Sequence, residues 1–260
     1  MAKATKAGWR SPTALSLFSG AGRSARLLSN QDFSIAEVDW EHNSCNDLST
    51  LQGCADAELL ELDSDVLMIE IDCATWSTAR RAPATSSLPH RLRRAGKFIL
   101  GLPNLPQRDR QKLQAANRCV RSTVRMVKSS IRRGKSGFLE NPHSSLILGF
   151  LEKSLDAEIA AGKITFCTCT MCAYGTPWRK GTKVMLRGPQ AANVALRKCC
   201  SKKLCQFSKK MHEPLSSNTV VMVKDKVFAT KKAQTYPNKF VRHLLGQLVF
   251  KDPTTTFKPG

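Results

Sequence analysis

Three short segments of the chain carry side chains whose types and spacing suit chemistry. They are the turn Ser19-Gly20-Ala21-Gly22, the segment Asp72-Cys73-Ala74-Thr75-Trp76-Ser77, and Glu140-Asn141-Pro142. A glycine-rich turn between a strand and a helix lets a ligand approach the backbone. A cysteine thiolate is a nucleophile, and a glutamic acid can stabilise charge on a reacting group. Together the segments predict a cleft where a nucleotide-like cofactor, a thiol and a carboxylate meet.

Acidic residues further along the chain support the cofactor prediction. Glu37 and Asp39 end the next strand-like segment, where a carboxylate commonly holds ribose hydroxyls, and we choose Glu37 for this role. Asp63 precedes the third strand-like segment and is predicted to reach an adenine amino group; the alternative is a turn or helix-capping aspartate. The full six-position dinucleotide fingerprint is absent, which argues against a nicotinamide enzyme.

The elements that must position these residues alternate between strand and helix. Apolar segments at 13–18, 33–38 and 66–71 predict strands, and a further strand begins at 137. Residues 110–133 place apolar side chains at three- and four-residue steps, which predicts a helix. This alternation indicates an α/β fold, with a Rossmann-like, open, mostly parallel sheet and helices on both faces.

The length and composition favour one main domain with a small basic addition. The 260 residues are 42% hydrophobic, which is enough to fill a core. The predicted divisions are a flexible basic arm at 1–12 and an α/β catalytic domain at 13–189. A small basic Cys/His region at 190–237 and a C-terminal helix with its tail at 238–260 follow. The chain has no apolar run close to the ~20 residues that a membrane span needs. Its basic N-terminus is not followed by the apolar segment of a signal peptide. We therefore expect a soluble intracellular protein, with nucleus and cytoplasm not distinguished.

The charge of the chain points to a polyanionic partner. Forty-one Lys and Arg residues against twenty Asp and Glu residues give a formal net charge of +21. Such a surface attracts nucleic acid, and the basic residues run through the whole chain instead of forming one tail. The alternatives are a solubilising surface or an anionic membrane. Arg80 and Arg81, in an arginine-rich loop, are candidate nucleic-acid contacts.

A Cys/His cluster in the C-terminal half is a candidate metal site. Without a secretory signal, the ten cysteines are expected to be thiols, a catalytic residue or metal ligands, not disulfides. The spacings are not those of familiar zinc fingers, so zinc and simple buried or surface thiols both remain open. The candidate ligands are Cys167, Cys169, Cys172, Cys199, Cys200, Cys205 and His212.

The order and spacing of these motifs resemble those of the DNA cytosine-C5 methyltransferases, over most of residues 15–186. Phe18, Gly20 and Gly22 match a Phe-x-Gly-x-Gly turn, and the Cys73 segment matches Pro-Cys-Gln-x-Phe-Ser. Glu140-Asn141-Pro142 is similar to Glu-Asn-Val. A third region, at 174–183, is similar to the family's Pro-Gln-x-Arg-x-Arg segment. Its matching residues are taken to be Pro177, Arg179 and Lys183. The departures are Asp72 in place of Pro, Ala74 in place of Gln, and Arg23.

The resemblance implies a methyltransferase that uses S-adenosyl-L-methionine and acts on C5 of cytosine in DNA. Cys73 is then the nucleophile that adds to C6, and Glu140 is the acid at N3 of a flipped-out base. Phe18, Ser19, Gly20, Gly22, Glu37 and Asp63 hold the cofactor, while Arg179 and Lys183 engage the DNA backbone or the catalytic loop. Asp72 and Ala74 favour one alternative, an inactive nucleic-acid-binding module. An RNA methyltransferase is the other. The sequence indicates neither the target sequence nor the oligomeric state.

Overall fold

The computed structural model describes most of the region that carries the predicted motifs. The described residues are 11–19, 22–39, 47–77, 91–196, 199–201, 203–215 and 236–249. Gly20, Arg80 and Arg81 lie outside them, so the predictions for these three residues stay predictions. Among the described helices, none is both long enough and apolar enough to cross a membrane.

One six-stranded sheet forms the centre of the fold, and its strand order is β2-β1-β3-β4-β6-β5. The strands β2, β1, β3 and β4 pair in parallel, whereas β6 runs antiparallel to both β4 and β5. The predicted Rossmann-like, mostly parallel sheet is therefore confirmed. The strands are β1 Thr13–Leu17, β2 Ser34–Val38, β3 Val66–Ile69, β4 Ser136–Pro142, β5 Ile164–Thr170 and β6 Gly181–Arg187.

Helices connect the strands and cover the sheet. The long predicted helix at 110–133 is observed, with slightly earlier bounds. The helix α2 begins at the cap of Thr50, whose side chain accepts a hydrogen bond from the Gly53 amide, and α4 begins at Ser145 in the same manner. The helices are α1 Arg23–Ser29, α2 Leu51–Asp63, α3 Gln107–Arg132, α4 Leu146–Ser154, α5 Asp156–Ala160 and α6 Asn238–Leu248.

Two apolar cores lie on opposite faces of the sheet. Successive side chains of a strand point to opposite faces, so Leu67 and Met68 of β3 enter different cores. One core is shared with α1 and with α6, which contributes Phe240 and Leu244. The other is shared with α2, α3 and α4, including Val120 of α3. Helices therefore cover both faces, as the sequence predicts.

Part of the predicted Cys/His region packs on the turn before β6. Residues 203–211 form a short hairpin, in which the Cys205 amide donates to the Lys210 carbonyl at 2.8 Å and Leu204 bridges to Met211. The Glu213 amide donates to the Pro177 carbonyl at 3.0 Å, next to a bridge between Trp178 and Glu213. The hairpin is thus joined directly to the chain that enters β6.

Candidate active site

The ends of the parallel strands bring the predicted catalytic and cofactor residues to one edge of the sheet. Carboxyl ends of parallel strands share an edge, and ligands bind there at the point where the strand order reverses. In this sheet the reversal lies between β1 and β3, because β2 and β3 flank β1 on opposite sides. The glycine turn follows β1 and Cys73 follows β3. Glu140 comes directly after Leu139, which pairs with Ile69 at the end of β3.

The turn after β1 has unusual backbone geometry at both of its described ends. Phe18 has a φ of 56° and Gly22 a φ of 61°, in the left-handed region that glycine tolerates best. A Cβ atom on Gly22 would lie 3.1 Å from Oε1 of Glu37, so a larger residue here would crowd that carboxylate. The Ser19 hydroxyl is buried and makes no hydrogen bond to any described residue. These features fit a turn that receives a polar ligand.

Glu70 is a buried acid at this edge that the sequence analysis did not select. It directly follows β3, and its carboxylate accepts a hydrogen bond of 2.7 Å from the Ser24 hydroxyl of α1. Its pKa is raised to about 8, chiefly by burial; the nearby carboxylates of Glu140 and Asp39 add to the increase, while the Ser24 hydrogen bond and Lys180 oppose it. One signal was visible in the sequence, since Glu70 is the acidic residue in an otherwise apolar strand-like segment.

The Cys73 segment forms a tight turn whose backbone is fixed at both ends. The Trp76 amide donates to the Cys73 carbonyl at 3.0 Å, and the Ala74 amide donates to Oδ1 of Asp72 at 2.8 Å. Asp72 therefore caps the turn at the position where the resembling family has proline. The Leu146 amide, at the start of α4, donates to the Trp76 carbonyl at 3.0 Å and joins the far end of the turn to the fold.

A buried arginine holds the tryptophan of this turn. The guanidinium carbon of Arg93 lies 3.6 Å from the ring centroid of Trp76, and both side chains are fully buried. Arg93 also donates to the Thr75 hydroxyl at 3.2 Å and to the Asn117 side-chain oxygen at 2.7 Å. On the other side, Trp76 packs against Phe150 of α4 with ring centroids 5.8 Å apart. The turn is therefore held in one conformation from several directions.

The thiol of Cys73 is half-buried and in an environment that favours its neutral form. Burial raises its pKa above the ordinary value of 9.0, and the carboxylates of Asp72 and Glu140 raise it further. The ammonium group of Lys180 partly opposes these effects. The same charge interactions show that Cys73, Glu140 and Lys180 share one electrostatic environment.

Glu140 is buried and held by two groups from later in the chain. The Tyr236 hydroxyl donates a hydrogen bond to Oε2 of Glu140, and Nζ of Lys180 lies 3.6 Å from Oε1. Lys180 also lies over the Tyr236 ring, 4.9 Å from its centroid. Burial, followed by the charge of Glu140, raises the pKa of Tyr236 well above 10.0, so its hydroxyl remains a donor. Oε1 of Glu140 makes no hydrogen bond within the described part of the chain.

The amide side chain of Asn141 links the two halves of the site. Its Nδ2 donates to the Ile71 carbonyl at 2.8 Å, and both residues are buried. Ile71 stands two residues before Cys73, and Asn141 directly follows Glu140. The bond therefore fixes the approach of the Cys73 turn to the end of β4, which holds the carboxylate beside the thiol.

Lys180, not Lys183, is the basic residue that reaches the site. Nζ of Lys183 pairs with Glu152 of α4 and lies 4.4 Å from the Phe166 ring centroid, so these contacts are not with the Cys73 loop; a contact of Lys183 with the DNA backbone stays a prediction. The physical reason is strand alternation: Lys183 faces α4. Counting residues in the motif identifies Lys180 from the sequence. The first Arg of Pro-Gln-x-Arg-x-Arg stands three residues after Pro, and Lys180 stands three residues after Pro177.

Arg179 and Asp63 also differ from their predicted surroundings. Arg179 is exposed, and its guanidinium donates to the Ser201 carbonyl at 2.9 Å, so it holds the small basic region. Asp63 ends α2, and its carbonyl accepts a hydrogen bond of 2.6 Å from the Thr13 hydroxyl. Thr13 begins β1, so Asp63 lies at the amino edge of the sheet, opposite the glycine turn. The prediction that Asp63 binds a cofactor is therefore wrong.

Exposed basic residues accompany the Cys73 turn. The segment that supplies Arg93 to Trp76 continues into the start of α3, and it carries five exposed positive side chains on both sides of that contact. Because Arg93 is stacked on Trp76, this basic segment lies against the back of the turn. The side chains are Arg91, Arg94, Lys97, Arg108 and Arg110.

Four of the seven candidate metal ligands are brought together. The ligand atoms of Cys172, Cys200, Cys205 and His212 all lie within 4.8 Å of one another. The other three candidates are elsewhere: Cys167 donates to the Val194 carbonyl at 3.4 Å, Cys169 is buried in the core that contains α6, and Cys199 is exposed. The predicted set of seven is corrected to these four. Cys167 and Cys169 lie on one face of β5 and pack into the core that contains α6, whereas Cys172 lies in the turn after β5. Of the neighbouring pair, Cys199 is exposed and Cys200 is buried.

The fold and the site define a Rossmann-like α/β protein with a thiol, a buried carboxylate and a glycine turn at the point where the strand order reverses. No protein-family model matches the sequence, and no curated protein matches it. Solved structures that resemble the chain include three described as methyltransferases.

Three such structures come from an amoeba, a yeast and a bacterial prophage. The Entamoeba histolytica methyltransferase EhMeth is 14% identical, with a TM-score of 0.41 and coverage of 73% of this chain and 57% of that one. The S. pombe Dnmt2 methyltransferase is 13% identical, with a TM-score of 0.38 and coverage of 73% and 52%. A protein described as a DNA modification methyltransferase encoded within an E. coli prophage is 11% identical, with a TM-score of 0.40 and coverage of 83% and 56%. The chain thus spans little more than half the length of each.

Proposed function

We propose that this protein is an S-adenosyl-L-methionine-dependent methyltransferase that acts on C5 of cytosine in DNA. The observation that carries the proposal is the pairing of Cys73 and Glu140 at adjacent strand ends, beside the reversal of strand order. The thiol is half-buried and fixed in a turn, while the acid is buried and held by Tyr236 and Lys180. A thiol and an acid on opposite sides of a flipped-out cytosine are what C5 methylation requires.

The charge at the sheet edge suits this cofactor. S-adenosyl-L-methionine carries a positive sulfonium, a positive ammonium and one carboxylate, so its net charge is positive. Although the chain has a net charge of +21, carboxylates gather at this edge: Glu37, Asp39 and Glu140. We assign the ribose to Glu37, beside Gly22, and a polar contact to the buried hydroxyl of Ser19. When bound, the cofactor supplies the methyl group.

The residues of the chain then perform the remaining chemistry. Cys73 gives its proton to solvent water, and its sulfur forms a bond to C6 of cytosine, which moves the C5–C6 electron pair onto C5. Glu140 in its protonated form donates a hydrogen bond to N3 and so stabilises the negative charge that this addition places on the ring. After C5 has gained its methyl group, solvent water takes the C5 proton and the electron pair of that C–H bond re-forms the C5–C6 double bond. The sulfur leaves C6 with its bonding electrons, which restores the aromatic ring and the thiolate.

The partner in this proposal is duplex DNA from which the target base is flipped out. We assign contacts with phosphates near the flipped base to the exposed positive side chains that flank Arg93, such as Arg91 and Arg94. Arg179 is a further candidate contact, because its side chain is exposed. Binding through phosphates releases counterions, so affinity should fall with salt at a log-log slope of about −0.9 per contact.

A second candidate function is a nucleic-acid-binding module without catalysis. The observation that favours it is the environment of Cys73, whose pKa is raised by burial and by the Asp72 carboxylate. Less of the reactive thiolate is then present at neutral pH. This alternative keeps the fold and the basic surface but predicts no chemistry on cytosine.

Transfer of an isotope-labelled methyl group from S-adenosyl-L-methionine tests the proposal. We expect transfer to duplex DNA, with 5-methylcytosine as the labelled nucleoside after digestion. Cys73→Ser should abolish transfer, whereas Cys119→Ser, a matched change of a thiol that bonds the Leu48 carbonyl at 3.1 Å, should retain it. Transfer to RNA alone would change the substrate class. Binding of DNA without any transfer would support the second candidate.

A further inference from the structure

A four-residue cluster of thiols and imidazole stands apart from the proposed active site. Cys172 lies in the 3₁₀ turn Met171–Tyr174 that follows β5, Cys200 and Cys205 lie in the small basic region, and His212 follows the hairpin at 203–211. Their ligand atoms lie within 4.8 Å of one another, although the residues come from three separate parts of the sequence. We propose that these four side chains bind one structural zinc ion.

The geometry of the cluster fits a tetrahedral ion. Zinc binds cysteine sulfur at about 2.3 Å and histidine nitrogen at about 2.0 Å, which places neighbouring ligand atoms roughly 3.5 to 4 Å apart. The upper limit of 4.8 Å therefore needs only a small inward movement of the side chains. The hairpin supports this arrangement, because the Ser208 amide donates to the Cys205 sulfur at 3.5 Å, and a hydrogen bond of this kind favours the thiolate form that binds a metal.

The imidazole of His212 provides an independent observation. Its Nε2 atom is buried and makes no hydrogen bond to any residue in the described ranges. A buried polar atom without a partner is costly, and most such atoms in folded proteins are satisfied. Coordination of Nε2 to an ion in the cluster would satisfy this atom, whereas a set of neutral thiols offers it only weak donors.

The identity of the ligands selects the metal. Three thiolates and one imidazole form a soft donor set, which favours zinc over magnesium or calcium. All four positions are supplied by the protein, which is typical of a structural site and not of a catalytic one. Zinc with three thiolates has a net charge of −1. Lysines nearby complement this charge: Lys203, Lys209 and Lys210.

The ion would fix the small basic region to the chain that enters β6. The Cys200 amide already donates to the Thr170 hydroxyl at 2.8 Å, and the Glu213 amide to the Pro177 carbonyl at 3.0 Å. Cys172 lies between these two attachments, and Lys180, the residue that pairs with Glu140, stands three residues after Pro177. The ion therefore braces the segment that carries Lys180, although the proposal of a zinc site does not depend on the proposed methyl transfer.

Metal analysis of the full chain tests this inference. We expect about one equivalent of zinc to copurify with the wild-type protein, and cobalt(II) that replaces it should give the intense visible absorption of tetrahedral thiolate coordination. Cys200→Ser should lose most of the zinc. Cys199→Ser is the matched control, because this neighbouring thiol is exposed and outside the cluster, and it should keep the metal. His212→Cys should also keep it, because a thiolate replaces the imidazole.

Two further measurements keep the test decisive if a variant does not fold. Chelation should lower the thermal midpoint of the wild-type protein, and zinc should restore it, because binding energy contributes to folding energy in such sites. After chelation, all ten cysteines should react with an alkylating reagent in denaturant without a reductant, which shows that none of them forms a disulfide. Wild-type protein that neither contains zinc nor takes up cobalt(II) would overturn the proposal, as would a disulfide within the cluster or equal metal loss in Cys199→Ser.

Discussion

The hydroxyl of Tyr236 donates a hydrogen bond to the carboxylate of Glu140, which lies 96 residues earlier in the chain. Tyr236 comes directly before α6, the helix that closes one face of the sheet, and its ring packs against Phe240 of that helix at 5.8 Å between centroids. The C-terminal segment therefore completes the site as well as the core. A residue far from the recognised motifs holds the acid that those motifs contain.

Removing this hydrogen bond should slow methyl transfer. Tyr236→Phe keeps the ring that contacts Phe240 and Lys180 but removes the donor to Glu140. A hydrogen bond to a charged group contributes about 1.5–3 kcal/mol, so we expect a loss of roughly tenfold or more in the single-turnover rate. Circular dichroism and the thermal midpoint serve as controls for folding. An unchanged rate would show that Tyr236 has no part in holding the acid.

Substitutions of Lys180 and Lys183 should have different effects on the rate of methyl transfer. Lys180→Met removes the cation next to Glu140, while Lys183→Met removes the partner of Glu152 on α4. We expect Lys180→Met to lower the rate of methyl transfer by about tenfold or more. Lys183→Met should change stability by about 1 kcal/mol or less and leave the rate near the wild-type value. A larger loss of rate in Lys183→Met than in Lys180→Met would contradict this assignment and indicate that Lys183 acts at the site.

The charge of Asp72 should control the reactivity of the thiol. Asp72→Asn keeps a side-chain oxygen that can accept from the Ala74 amide but removes the negative charge that helps raise the pKa of Cys73. The wild-type thiol should therefore react with iodoacetamide faster as the pH rises toward and above 9, and in the variant this rise should begin at lower pH. Cys73→Ser identifies the signal from this residue. Identical profiles for wild type and variant would contradict the electrostatic role of Asp72.

Burial of Glu70 should make stability depend on pH. Its pKa is about 8 in the folded protein and near 4.5 in the unfolded chain, so the folded state retains a proton that the unfolded state releases between these values. The contribution of Glu70 is thus fully present below pH 4.5 and is lost as the pH rises through 8. Each pKa unit corresponds to about 1.4 kcal/mol, so the change amounts to a few kcal/mol.

Urea unfolding at several pH values measures this effect. The difference in unfolding free energy between wild type and Glu70→Gln isolates the carboxyl group, because the other titrating groups are common to both proteins. The wild type should lose stability relative to Glu70→Gln as the pH rises from 5 to 8. A difference that does not vary with pH would mean that Glu70 ionises normally in the folded state.

The sequence predicts the sheet well because apolar periodicity is a local property. The segments at 13–18 and 33–38 become β1 and β2 with small changes of bound, and the motifs that end them reach the same edge. The prediction for Asp63 is wrong because a residue close to β3 in sequence can lie at either end of that strand. Its position before the strand, at the end of α2, puts it at the amino edge.

The parts of the site that sequence did not predict depend on contacts between distant segments. Tyr236 lies in no motif, and its contact with Glu140 exists only because α6 packs beside α1. The selection of Cys200 over Cys199 for the cluster depends on which way each side chain points in an irregular segment. Lys180 is the exception, since counting from Pro177 in the quoted motif identifies it directly.

Covalent trapping tests the central claim, the attack of Cys73 on cytosine, most directly. The protein is incubated with S-adenosyl-L-methionine and duplex DNA that contains 5-fluorocytosine, whose fluorine cannot leave as the C5 proton does. We predict a complex that survives denaturation, with one DNA strand attached to the peptide that contains Cys73. The complex should be absent in Cys73→Ser and should form more slowly in Glu140→Gln. Wild-type protein that binds both cofactor and DNA, yet never forms this complex on any cytosine-bearing substrate, would contradict the mechanism and leave the binding module as the function.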